Sequence, residues 1–354
     1  MTTTDTLVLA PRLAAALDLV SVRKDALRAT VAGHELRADS PRDLRGRLSN
    51  ALYEEFHAGN GAQRREPGGA PRRSLRDPAL EERLAAGVPH AWTPTPGRLI
   101  EVLRRPGGDQ LVVRLPDITA RVPADRLIGH GPSGAPAAPA APGSGPRPGD
   151  LVELALEAAR PALSPGFFYV MGSRALPRPA GAIRRIFLHA LDADGATALW
   201  AASLAALEGA GALYHAKVLS DPDDFPRRDG VVVYLHGDHE PGERAVVEAV
   251  RGLPGTGPDT SLFTERLAPG VAAAWDPRDP RPGQGGMSFG QHRGFALATA
   301  LVDHALAAGD GGSLQERIAR EFRAAGIDPL HPENNIPANA THPTHLTNST
   351  TEGN

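Results

Sequence analysis

Residues 131–149 read GPSGAPAAPAAPGSGPRPG, and this stretch limits the fold more than any other feature of the chain. Proline removes backbone donors, while alanine and glycine bring too little apolar surface to offset the entropy of ordering. The stretch therefore predicts a linker or long flexible loop within the 354 residues. It separates residues 1–130, a helical region with a small β-sheet, from a second domain at residues 150–330. Either the second domain begins directly after the linker, or residues 151–156 return to the first sheet and the linker is an insertion between paired strands. Residues 331–354, dominated by Pro, Asn, Thr and His, predict a disordered tail.

Hydrophobic spacing fills in the elements. Residues 7–52 show helical periodicity and predict two or three helices, with Ser40-Pro41-Arg42-Asp43 as a cap and first turn before residues 44–56. Residues 59–76, rich in Gly, Arg and Pro, predict an exposed loop; Asp77 then caps a short helix at residues 78–86. Strands are expected at residues 99–104, 110–115 and 119–122, the first two joined through Pro106-Gly107-Gly108. The second half predicts strands at 167–170, 183–191, 213–220, 231–235 and 271–275, and helices at 195–209, 240–253, 294–308 and 314–325. Mixed α+β is the class that follows.

Several function classes drop out on composition. With no cysteine there is no disulfide, thiolate zinc site or cysteine nucleophile. A net charge of -3 argues against a general nucleic-acid binder. No apolar run approaches the ~20 residues of a membrane span, and residues 1–12 lack the order of a secretory signal, so a cytoplasmic protein with no membrane partner is expected. Of 38 basic residues, all but Lys24 and Lys217 are arginine.

That bias directs attention to the strand Leu213-Tyr214-His215-Ala216-Lys217-Val218-Leu219. Its period of two puts His215 and Lys217 on one face, about 7 Å apart. An amine can surrender its proton where desolvation or neighbouring cations favour the neutral form, whereas a guanidinium cannot. Lys217 is then either a base or a lysine snorkelling from an edge strand. Residues 183–191 place Arg185, Phe187 and His189 on one face and Arg184 on the other. An inward arginine there needs an anion; no carboxylate lies in either strand, which makes phosphate the candidate, unless the arginine pair is simply a surface feature. Arg227 and Arg228 read as a solvated turn before a strand. The glycine-rich run Gly285–Arg293 leads into a helix and could offer backbone amides to an anion, with Ser288 and Arg293 as extra donors, or be a plain loop. His236, Asp238 and His239 are close in sequence, but the arrangement lacks helical metal-ligand spacing, and no metal site is expected.

The ordered segments Phe167-Phe168-Tyr169-Val170, Arg185-Ile186-Phe187, residues 214–219 with Asp221-Pro222, residues 228–235, residues 267–271, Ser288-Phe289-Gly290 with His292-Arg293, and Gly326-Ile327-Asp328-Pro329 resemble the HopA-type effector family over residues 160–330. Where that family's pattern favours an acidic residue after the Pro-Gly-Val stretch, this chain has Trp275 before Asp276. The resemblance implies a phosphothreonine/phosphoserine lyase of lanthipeptide-type biosynthesis. Its substrate would be a precursor peptide phosphorylated by a partner kinase, its products dehydrobutyrine or dehydroalanine, and it would need no metal or redox cofactor. Elimination needs a base, donors for the enolate and phosphate, and an acid for the leaving oxygen. In that scheme Lys217 is the base and His215 the acid, with His292 as the second choice. Arg185, Arg293 and Arg228 hold the phosphate, Ser288 adds a hydrogen bond, and Tyr169 lines the peptide groove. The alternatives are a non-catalytic subunit of a peptide kinase and a virulence-type interaction protein.

Overall fold

The computed structural model describes residues 8–61, 76–115, 118–132, 145–161, 163–177, 181–307 and 312–337. Helices and antiparallel sheets make it an α+β protein. The chain divides into two compact units, one of residues 1–67, 260–267 and 272–354, the other of residues 68–259 and 268–271. Most of the predicted tail, most of the loop at 59–76 and the centre of the predicted linker, residues 133–144, fall outside the described residues.

The first unit starts with the short helix α1 (Pro11–Ala16) and a three-stranded meander of β1 (Val20–Val22), β2 (Arg28–Val31) and β3 (His34–Arg37). The helical expectation for residues 7–52 thus holds at α1 but fails over residues 20–37. The turn between β2 and β3 uses Ala32 and Gly33 with φ of 48° and 83°, the left-handed pair that a two-residue hairpin demands. Helix α2 (Pro41–Leu52) follows as expected: Ser40 accepts from the Asp43 amide and Pro41 occupies the first turn. A π-helical turn, Tyr53–Ala58, continues it.

In the second unit α3 (Pro78–Ala86) begins on Asp77, whose side chain accepts from the Leu80 amide at 2.7 Å. Then come β4 (Trp92–Leu103), β5 (Gln110–Arg114), β6 (Thr119–Pro123), β7 (Leu127–Gly131) and β8 (Leu151–Glu157), in the order β6-β5-β4-β8-β7. Strand β8, beyond the Pro/Ala/Gly stretch, pairs with both β4 and β7. The two edge strands β6 and β7 are joined only by the 3₁₀ turn Ala124–Arg126. Laid flat, five strands would separate the edges by about 19 Å, whereas the four Cα–Cα steps from Pro123 to Leu127 reach at most about 14 Å, so the sheet must curl. Leu99, Leu111, Val113, Val152 and Leu154 fill its interior.

The same unit continues with β9 (Phe167–Met171), β10 (Ile183–Ala190), α4 (Ala193–Gly209), β11 (Leu213–Leu219), β12 (Arg227–His236) and α5 (Glu240–Val250). The four strands run antiparallel in the order β10-β12-β11-β9. Helix α4 lies against β10, β11, β12 and α5. The strand face toward the helices carries Ile186, Leu188, Ala216, Val218, Val231 and Val233, all buried. On β12 Val232 and Tyr234 of the opposite face are buried as well, which accounts for its continuous apolar run; each buried Val, Leu or Ile contributes about 1.5–3 kcal/mol.

After β13 (Glu265–Ala268) and β14 (Val271–Trp275), the chain ends with α6 (Phe289–Leu306) and α7 (Leu314–Ala324) in the first unit. Helix α6 packs against both α2 and α7. Close approach to α2 requires Gly294, where a Cβ would sit 3.0 Å from the Ser49 carbonyl oxygen. No helix among the described residues is long and apolar enough to cross a membrane.

Candidate functional site

The face of β9–β12 opposite α4 and α5 gathers most of the predicted residues. Cross-strand register sets His215 opposite Tyr234 and Met171, Lys217 opposite Tyr169 and Val232, and Arg185 opposite Tyr234. The side chains therefore form a column across the sheet. The His215 ring stacks on Tyr234 at 4.3 Å and 14°, and on Tyr169 at 5.4 Å and 20°. The Arg185 guanidinium lies 4.8 Å over the Tyr234 ring. Lys217 Nζ lies 4.0 Å from the centre of Phe167, and no carboxylate is among the contacts of Lys217 or His215 in the described residues.

His215 Nδ1 is 3.0 Å from His236 Nε2, so one of these two imidazoles donates to the other. Its Nε2 has no hydrogen bond among the described residues. Burial, followed by His236, Arg185 and Lys217, pushes the His215 pKa well below its ordinary value, leaving a neutral ring at neutral pH. An acid role thus requires a change of charge beside it. Burial raises the Tyr169 hydroxyl, so that phenol stays protonated.

The arginines divide differently from the expectation. Arg184, buried on the helix side, takes its carboxylate from Glu243 of α5 at 2.9 Å; a helix supplies what neither strand could. Arg227 and Arg228 belong to β12 instead of a solvated turn, and Arg227 forms a two-pronged pair with Asp229 at 2.8 Å. Arg228 is partly buried and helps depress the pKa of His189, after burial itself.

His292, Arg293 and Ser288 belong to the other compact unit. Helix α6 starts at Phe289, five residues before the expected position, because Ser288 is its N-cap and forms a capping box with Gln291. Arg293, fully buried, donates to the carbonyls of Pro332 and Asn334, to Asn335 Oδ1, and to His292 Nδ1 at 2.9 Å. His292 Nε2 then carries the proton and donates to Asp279 at 2.9 Å. Asp279 in turn holds Arg281, which also reaches Glu321. Burial and Arg293 lower the His292 pKa to about 4 against the opposing pull of Asp279. The network ties the segment at 332–335 to α6.

Tyr234 and His236 were not singled out as partners of His215 by the sequence. Reading β12 as residues 231–235 stopped one residue before His236; carrying the alternation one step further would have set it on the Tyr234 face. Among the described residues no three histidine or carboxylate side chains converge as metal ligands.

Residues 158–333 match the HopA1 effector protein family. Among solved structures, the chain is similar to the effector protein from Pseudomonas syringae pv. tomato strain DC3000 (21% identity, TM-score 0.37) and to that from Pseudomonas syringae pv. syringae strain 61 (15% identity, TM-score 0.37). Each comparison covers 48% of this chain and 63% of the other. No curated protein matches the chain.

Proposed function

From the HopA1 match over residues 158–333 and the column on the β9–β12 face, we propose that the chain is a phosphothreonine/phosphoserine lyase acting on a peptide phosphorylated by a partner kinase. The carrying observation is that Lys217, His215 and Arg185 share one sheet face lined by Tyr169 and Tyr234. Lys217 Nζ takes the Cα proton of the phosphorylated residue. The C–H electron pair becomes the Cα=Cβ bond, the Cβ–O bond breaks, and its electrons leave with phosphate. Arg185, its guanidinium already held over the Tyr234 ring, neutralises the leaving group, a geometry that costs little reorganisation when charge develops.

His215 protonates the leaving oxygen through Nε2. A phosphate dianion against Arg185 offsets the nearer guanidinium charge that depresses His215 and raises its pKa, so substrate binding arms the acid while Lys217 serves as the neutral base. His292, Arg293 and Ser288 have no part in this scheme; their bonds are spent within their own unit.

The test is mass spectrometry of a synthetic phosphothreonine peptide incubated with the chain and with Lys217→Ala. Loss of the mass of phosphoric acid with wild type alone is the expected result. A peptide left phosphorylated in the presence of its kinase overturns the lyase and favours a kinase-binding subunit.

A further inference from the structure

We propose that the groove on the curled five-stranded sheet docks an acidic segment of the peptide substrate, at a distance from the phosphorylated residue. This rests on the phosphopeptide reading above. The groove, about 680 Å³ in volume, is lined by Trp92, Arg121, Arg126, Glu157, Arg160 and Leu163 among others. A neighbouring hollow of about 490 Å³ shares Trp92 and Glu157, so the surface continues past the indole.

The lining combines an apolar platform with cations. Trp92 and Leu163 are 39% and 57% exposed, and the Arg126 guanidinium lies 3.8 Å over the Trp92 ring, fixing both. Exposed tryptophan, leucine and arginine in one concavity is the composition of a protein-binding surface. Charge selects the occupant. Arg121 is exposed and has no carboxylate partner among the described residues. Among the described residues Arg160 donates only to neutral oxygens, the Glu157 carbonyl and Thr95 Oγ1, both at 3.3 Å. Burial lowers its pKa, a cost that an anion in the groove would offset. Arg126 has Asp125 at 3.9 Å, and Glu157 is the acidic residue of the lining. Three arginines against these two carboxylates leave the surface short of negative charge, which a peptide rich in Glu or Asp supplies.

The groove is joined to the candidate site through the backbone. The Arg160 amide donates to the Tyr169 carbonyl at 2.8 Å, and Tyr169 stacks on His215. Arg160 of the groove and Tyr169 of the column thus lie on directly bonded backbone segments.

The probe is a fluorescein-labelled decapeptide of alternating Glu and Leu, titrated with the full chain and followed by anisotropy. Saturable binding is expected, weakened at least about tenfold by Arg121→Glu with Arg126→Glu, by replacing Glu with Gln in the peptide, and by added salt. Trp92→Phe provides a milder variant should the double substitution disturb folding, checked by circular dichroism. Absent binding, or equal binding by wild type and variants, overturns the docking site. A short phosphothreonine peptide, with and without the acidic segment, separates this from the lyase reading. The double variant should raise KM only for the extended peptide. Binding of the acidic probe with neither phosphopeptide eliminated would sink the lyase and leave the docking site standing.

Discussion

His292 and His215 are both held neutral by burial and by a nearby arginine, but their surroundings are finished to different degrees. Both nitrogens of His292 are engaged, by Asp279 and by Arg293, and the Arg293 guanidinium is consumed by three acceptors in the segment at 332–335. His215 is clamped on both ring faces by tyrosines and on Nδ1 by His236, while Nε2 has no hydrogen bond among the described residues. A saturated network stabilises; a rigid ring with an open nitrogen can move a proton. Each cluster centres on a buried histidine near an arginine, and what distinguishes the two is the state of their donors and acceptors.

The largest expected effect falls on the open cluster: Lys217→Ala should reduce elimination by about 10²–10⁴-fold, the scale of a lost general base, with an unchanged circular dichroism spectrum. Retained turnover would remove the base and with it the contrast. In the saturated cluster, Arg293→Met strands buried carbonyls and should cost about 3–5 kcal/mol in denaturant midpoint analysis, with elimination per folded molecule unaltered. A loss of turnover without a loss of stability would instead give Arg293 a direct role.

Acid should sharpen the difference. His292 titrates at about 4 when folded and near 6.5 when unfolded, so the unfolded chain binds the extra proton between those values. Stability is full above about pH 6.5 and declines as pH falls toward 4, by roughly 3 kcal/mol from this residue. His215, also depressed, pulls the same way. A flat stability profile across that window in the chain, or one unaltered by His292→Gln, contradicts the neutral-imidazole assignment. The smallest effect is at Ser288→Ala, which removes the α6 cap and should lower stability by about 1 kcal/mol without changing elimination of a phosphopeptide.

The helix starts at Ser40 and Asp77 were legible because capping is written in a few adjacent residues. The meander of β1–β3 was not. Its strands are three or four residues long, too short to establish a period, and its turn uses Ala32-Gly33 where Asn-Gly would have signalled a hairpin. At the candidate site, strand alternation was enough to put His215 beside Lys217 on one face. The stacking of His215 between Tyr169 and Tyr234 depends on register between strands far apart in sequence, which no local pattern encodes. The same holds for Arg184, whose carboxylate comes from a helix 59 residues away.

The position of Lys217, partly buried over Phe167, also makes the molecule its own reporter. The chain has one other lysine, Lys24, which is exposed. An amine-selective reagent therefore meets one side-chain amine in water and one on the sheet face, resolved as separate peptides in a single digest. The ratio of their labelling rates, followed against pH and phosphate concentration, reads the chemistry of the proposed base in the unmutated protein, with Lys24 as the internal standard.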